Sequence, residues 1–337
     1  MRWIVVVALA LPAFAADWNP RLAADYLDSR QKEWFAWDRA KAPGGPCVSC
    51  HTGATYLLAR PALRRALGES QPTPYETGLL DALRARADKR ESKDVFPSYT
   101  KEPGASQALG VESIHSALFL GTEESFARLW AFQIQEGEAK GGWHWFSLNY
   151  DPWEMPDSRF YGASLAAVAI GKSAAAKKDR ARVTALAAYL QGEQVRQPLH
   201  NRAALLWASE KLPEILTASV RQGILADIWQ KQQPDGGWTI ASLGPWKERE
   251  TAPPASGSEA YATGIVALAL QKGGVSRSDA RLKRALDWLA SHQDRESGAW
   301  LSQSMNKRYE TGSMQIRFMN DAATAFASLA LLEGGKP

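Results

Sequence analysis

Three copies of one short pattern constrain this chain more than anything else in it. Lys140-Gly141-Gly142-Trp143, Asp235-Gly236-Gly237-Trp238 and Ser297-Gly298-Ala299-Trp300 align with one another. Each follows a predicted helix whose end is marked by glutamine: Gln133 and Gln135, Gln230 to Gln233, and Gln293. Each is followed by a polar loop and a helix of small residues, and two of those helices start alike, Arg159-Phe160-Tyr161 and Arg317-Phe318-Met319. Self-similarity at a fixed interval signals a repeat architecture, here with about 50 residues per unit and one degenerate unit near 180–209. An outer amphipathic helix cannot bury its apolar stripe alone, so it packs on an inner, small-residue helix, and neighbouring pairs stack. The pattern predicts an all-α chain, an α/α toroid of about five to six helix pairs.

The rest of the chain agrees with paired helices. Predicted helices cover residues 21–38, then 56–67 on both sides of Pro61, then a segment marked by Leu79, Leu80 and Leu83. Others cover 105–120, 123–135, 161–170, 203–209, 213–232, 261–270, 279–292 and 321–332. Val183, Leu186, Ala187 and Leu190 give the i, i+3, i+4, i+7 spacing of one buried face. Leu282, Ala285, Leu286 and Leu289 do the same, with Arg281, Lys283, Arg284 and Asp287 off that face. Lys41-Ala42-Pro43-Gly44-Gly45-Pro46 reads as a breaker, and no convincing strand is found.

That breaker leads into Cys47-Val48-Ser49-Cys50-His51, which holds the only two cysteines in the chain. Cys-x-x-Cys-His is the attachment pattern of a c-type haem. Each thiol adds to one vinyl group, the two intervening residues span the porphyrin edge, and the next residue offers a proximal imidazole to the iron. One covalent haem c on Cys47, Cys50 and His51 is the expected cofactor. A redox dithiol would leave His51 incidental, and a zinc site needs about four ligands where there is no second cysteine pair. A chance occurrence of so short a pattern is the remaining reading.

The N-terminus favours the haem. Met1-Arg2-Trp3 is a short positive stretch, residues 4–14 are apolar, and Ala13-Phe14-Ala15 is a cleavage-like site. This reads as a secretory signal peptide over 1–15 rather than a span, which needs ~20 apolar residues. An uncleaved anchor is the alternative. Periplasmic or otherwise exported location follows, and export is the step before c-type haem attachment. The expected divisions are the signal, a haem-binding segment over 16–72 packed on the toroid, and the toroid over 73–335. The 337 residues, roughly 320 without the leader, suffice for one large or two small domains. A net charge of +4 with mixed signs and no basic block among aromatics points away from nucleic acid. No later segment is apolar enough to cross a membrane.

Gln232-Gln233-Pro234-Asp235-Gly236-Gly237-Trp238 resembles the glutamine–tryptophan repeat of squalene–hopene cyclases, whose toroid also occurs in protein prenyltransferase β subunits. With Cys47–His51 ahead of Ala59-Arg60-Pro61-Ala62-Leu63-Arg64, the chain resembles bacterial exported proteins that join a c-type haem segment to such a toroid. The departures limit what carries over. The resemblance implies an Asp-x-Asp-Asp acid for cyclisation, and none occurs here; it implies a zinc-binding cysteine for prenyl transfer, and none lies in the toroid. No catalytic residue is assigned, and terpene cyclisation is not expected.

The expected function is therefore electron transfer by a monohaem cytochrome, with a redox protein or small electron carrier as partner. The alternative is a haem-linked enzyme or binder that uses the toroid cavity for an apolar, terpenoid-like or polymeric substrate. A terpene cyclase is the weaker third reading. Asp151, Glu154 and Asp157 read as exposed loop acids, with an acid–base pair as the alternative; Glu248 and Glu250 beside Lys247 and Arg249 read as a solvated loop, and His200 and His292 as helix-end residues in surface or cap roles. Trp143, Trp145 and Trp153 read as packing residues. The haem segment lacks methionine and a second histidine, so a sixth iron ligand must come from the toroid. His115, Met155, Met305, Met314 and Met319 are candidates, with His144 behind them. Met319 is preferred, because Asn320-Asp321 reads as the cap of the final inner helix and the matching position in the repeat is Tyr161.

Overall fold

The computed structural model describes residues 18–254 and 257–334. The expected leader, and the end of the last division at 335, lie outside the described residues. The chain is all-α. Twelve α-helices occur among the described residues: α1 (Pro20–Ala36), α2 (Gly53–Ala66), α3 (Pro74–Arg86), α4 (Gly104–Leu120), α5 (Glu123–Ala131), α6 (Ser158–Lys172), α7 (Arg180–Glu193), α8 (Leu199–Ala208), α9 (Ala218–Gln230), α10 (Ala260–Lys272), α11 (Ala280–Ser291) and α12 (Phe318–Leu332). One correction is local. The breaker at 41–46 forms a minimal antiparallel ladder, Lys41 opposite Pro46 and Ala42 opposite Gly45, with Gly44 and Gly45 supplying positive φ.

Odd and even helices divide the work. α6, α10 and α12 are buried on nearly all sides, as their alanine-rich sequences require, whereas α9 buries only Ile224 and Ile228. The even helices pack in the order α4, α6, α8, α10, α12, α2, with α5, α7, α9 and α11 packed on α4, α6, α8 and α10. α1 lies against both α2 and α12, and α3 connects α2 with α4. Residues 18–72 thus contribute one outer and one inner helix to a core continuous with the rest.

The repeat has a physical basis that recurs contact for contact. Trp143, Trp238 and Trp300 are fully buried. Each indole Nε1 donates to a carbonyl of the preceding outer helix: Leu129 at 2.7 Å, Ile228 at 2.8 Å and Leu289 at 2.8 Å. The glutamine amide of each unit clamps two carbonyls. Gln133 reaches Gly141 and Arg182, both at 3.1 Å. Gln232 reaches Gly236 at 2.8 Å and Arg281 at 2.9 Å. Gln293 reaches Gly298 at 2.9 Å and Asn19 at 3.0 Å. The glycine must have no side chain. Gly141, Gly236 and Gly298 have φ of +92°, +99° and +77°, and a Cβ would lie 2.1, 2.9 and 2.3 Å from the carbonyl oxygens of Ala185, Arg284 and Leu22. Leu22 follows Asn19 by the same step that separates Ala185 from Arg182, so α11 meets α1 as α5 meets α7.

α12 begins earlier than expected. Its first residue is Phe318, its cap position is Arg317 without a side-chain bond, and Asn320-Asp321 lie inside the first turn. They do not cap it. Asn320 accepts from the Ser302 N–H at 2.7 Å, and Asp321 turns inward as described below.

Candidate functional site

The Cys47–His51 loop is held from several directions. The Cys47 N–H donates to Ala40 at 2.7 Å, and the Trp34 indole donates to the Cys47 carbonyl at 2.8 Å. Ser49 Oγ accepts from the N–H groups of Thr52 and Gly53 at 3.2 and 3.1 Å, occupying donors left free at the start of α2. Gln31 donates to the Thr52 carbonyl at 2.9 Å. Below the loop, Arg86 and Glu112 form a fully buried ion pair at 2.6 Å, and Arg86 also donates to the Pro43 carbonyl at 3.0 Å.

His51 is the best-defined group in the site. Its ring stacks on Phe318, with centroids 3.7 Å apart and planes 19° apart. Nδ1 lies 2.8 Å from Thr52 Oγ1, and that hydroxyl lies 2.7 Å from Asp321 Oδ2. Asp321 also accepts from Arg30 Nε at 2.7 Å, Arg30 Nη2 at 3.2 Å and the Tyr26 hydroxyl at 3.0 Å. Burial pushes the Asp321 carboxyl up, and the Arg30 guanidinium opposes this. Four donors on two oxygens hold it as a carboxylate. Thr52 has one hydroxyl proton and gives it to Asp321, so it accepts from His51. The imidazole is thus the Nδ1–H tautomer, with Nε2 carrying the lone pair. Burial, and then the charge of Arg30, push the His51 pKa down to about 3, so the ring is neutral.

His51 and Met319 line one cleft of about 270 Å³, together with Trp37, Arg39, Trp153, Glu154 and Lys307 among others. Cys47 and Cys50 are not on its wall. Both are free thiols, Cys50 buried and Cys47 partly so. Burial pushes Cys47 up to about 12 and Cys50 well above the ordinary thiol value, with the nearby Glu154 carboxylate adding to both. A reactive redox dithiol needs the opposite shift. Two protonated thiols beside a neutral imidazole of fixed tautomer, whose Nε2 faces no protein hydrogen-bond partner, fit a c-type haem held by two thioethers and His51 Nε2. Arg39 and Lys307, in no ion pair among the described residues, stand on the cleft wall with charge suited to haem propionates.

Behind His51 runs an aromatic series. Trp153 lies 6.5 Å from His51 between ring centroids, Tyr261 5.3 Å from Trp153, His200 5.8 Å from Tyr261 and Tyr161 5.4 Å from His200. Trp153 Nε1 donates to the Tyr261 hydroxyl at 2.9 Å, which is 2.7 Å from His200 Nε2, and His200 Nδ1 is 2.9 Å from Asn201 Oδ1. His200 is therefore no surface residue; it is fully buried, and burial pushes its pKa down to about 4. Two other acids also depart from expectation. Asp151 is buried and paired with Arg249 at 3.2 Å, and burial pushes Glu154 in the cleft up to about 7. Arg249 accordingly belongs to this cluster rather than to a solvated loop.

The remaining candidate ligands lie elsewhere. Met314 Sδ accepts from Arg30 at 3.0 Å, Met155 Sδ is 3.9 Å from Arg249, and Met305 packs on the core margin. His115 is fully buried near Val48, edge-on to Trp145, and neither ring nitrogen has a well-formed hydrogen bond among the described residues. His144 is partly buried, and burial lowers its pKa. Sequence reading missed Thr52 and Asp321. A hydroxyl directly after the motif histidine and an acid on an otherwise apolar helix were the available signals. No family model matches the chain, and no curated protein matches it.

Proposed function

We propose that the protein is an exported monohaem c-type cytochrome built on a squalene-cyclase-like α/α toroid, and that it transfers electrons to or from a redox protein or small carrier. One observation carries the reading: a Cys-x-x-Cys-His loop whose histidine is locked as the Nδ1–H tautomer and lines a cleft. Cys47 and Cys50 would hold haem c, and His51 and Met319 would supply the iron's two protein ligands. Bound there, the haem would supply reversible one-electron storage. The chain's own contribution is to orient His51, keep it neutral and exclude water with Phe318 and Trp153. Six inner–outer helix pairs and the recurring glutamine–tryptophan contacts support the toroid. Aromatic filling between the starts of α6, α8 and α10 favours electron transfer over a substrate chamber at that end.

Expression in a host competent for c-type maturation tests the reading. Haem staining should survive boiling and denaturing electrophoresis, and Cys50→Ala should abolish normal two-thioether attachment. A stain-negative wild-type protein from such a host would refute it.

A cavity of about 430 Å³ at the opposite helix ends favours one second reading. Leu58, Val168, Trp207, Leu268 and Leu329 line it, with Lys172 and Lys272 beside them. An apolar ligand would enter there, with or without chemistry. Incubation with squalene should yield no cyclic triterpene, since no Asp-x-Asp-Asp acid exists; product at enzyme-like rates would reverse this.

A further inference from the structure

We infer that Asp321, acting through the Thr52 hydroxyl, sets the donor strength of His51 and hence the reduction potential of the centre. The inference rests on the haem reading above and goes beyond it. A haem-ligating histidine normally gives its second N–H to some acceptor, and a stronger acceptor makes the imidazole a better donor. Here the acceptor is a hydroxyl rather than a backbone carbonyl. That hydroxyl is itself polarised by a buried carboxylate, because its proton points at Asp321 Oδ2 from 2.7 Å. Successive hydrogen bonds polarise one another in a dry environment. Thr52 and Asp321 are both 1 % exposed, so water does not compete. Arg30 and Tyr26 hold the carboxylate oxygens in place and moderate its charge.

Thr52 and Asp321 are positioning residues, since neither touches the iron. Their effect has a definite sign. Negative charge relayed to Nδ1–H raises electron donation from Nε2, favours the oxidised state and lowers the potential. Thr52→Val keeps the shape and removes the relay. Thr52→Ser keeps the relay.

The experiment uses the full chain matured with haem, and reads covalent attachment by gel stain and midpoint potential by redox titration. Thr52→Val should remain stain-positive and shift upward by about a tenfold change in the one-electron equilibrium, ~59 mV. Thr52→Ser should match wild type. A stain-positive Thr52→Val protein with the wild-type potential overturns the relay while leaving the cytochrome reading intact. A stain-negative wild-type protein overturns both. If Thr52→Val fails to mature, the reduced wild-type protein decides by nitrogen-15 NMR. The His51 Nδ1–H should be strongly deshielded and coupled to the Thr52 hydroxyl, and an ordinary, fast-exchanging signal there overturns the relay.

Discussion

Trp238 buries its whole side chain and still satisfies its one polar atom on the Ile228 carbonyl. That combination explains why tryptophan recurs in the repeat: phenylalanine would place a ring in the joint but give up the bond to the Ile228 carbonyl, which then keeps only the Lys231 N–H at 3.1 Å. Trp238→Phe should therefore cost about 0.5–1.5 kcal/mol. Trp238→Ala should cost about 3–5 kcal/mol through the added cavity. Urea denaturation followed by circular dichroism measures both, and a Trp238→Phe protein as stable as wild type would show that the hydrogen bond contributes nothing. These tryptophans were legible in the sequence because glutamine, glycine and tryptophan of one unit lie close together along the chain. Thr52 and Asp321 were not legible as a pair. Their contact spans 269 residues, and one sequence carries no trace of such a juxtaposition. His200 was misread for a related reason, since a polar residue at a helix start usually faces water and here the neighbouring helices converge on it.

At the scale of elements, helix starts carry the functional groups. Glu259 is the cap residue of α10, yet its side chain makes no cap bond and its Oε2 has no partner. Burial pushes its pKa up to about 7, with the Ile240 N–H opposing. An unfolded glutamate titrates near ~4.3. Between those values the native state keeps a proton that the unfolded state has lost, so stability falls as pH rises from ~4.3 to about 7 and then levels. Glu259→Gln should remove this slope and stabilise the protein at pH 8 by an amount on the order of 1–3 kcal/mol. Thermal melts of both proteins across that range check it, and parallel curves would refute the buried-acid account. The first turn of α12 carries Phe318, Met319 and Asp321, all directed at the His51 region. If Met319 is the second iron ligand, oxidised wild-type protein should show the weak near-infrared sulfur-to-iron band and Met319→Ala should lose it. A bis-histidine spectrum would transfer the role to His115. The existence of α12 was clear from its alanine-rich apolar run, but its start was displaced because Asn320-Asp321 resembles a cap and serves instead as long-range partner groups.

Across the molecule, three junctions between helix pairs share one kind of seam, and that between α11 and α1 is built like those between α5 and α7 and between α9 and α11. Gln293 even adds a bond, accepting from the Asn19 N–H at 2.6 Å. Gln293→Ala and Gln232→Ala should therefore destabilise the whole protein alike, each by about 0.5–1.5 kcal/mol, because each loses bonds to one part-buried and one exposed carbonyl. Chemical denaturation compares them. A neutral Gln293→Ala beside a costly Gln232→Ala would mean that the α1 seam is an unlatched edge. The all-α class and the unit length could be read from the sequence, because both are periodic. The participation of α1 and α2 in the same layers could not, since the Cys47–His51 loop interrupts the repeat there and no glutamine–tryptophan pattern marks them.

The contact between Thr52 and Asp321 also orders events in time. Arg30 and Asp321 are 291 residues apart, and Asn19 and Gln293 are 274 apart. Such contacts form late, since a long loop must close before they return any free energy. A chain is made from its N-terminus, so the segment carrying Cys47 and Cys50 emerges long before α12. In the finished fold Cys50 is only 9 % exposed. If a bulky group is to join the two thiols, it has its opportunity before these long-range contacts close around the Cys47–His51 loop.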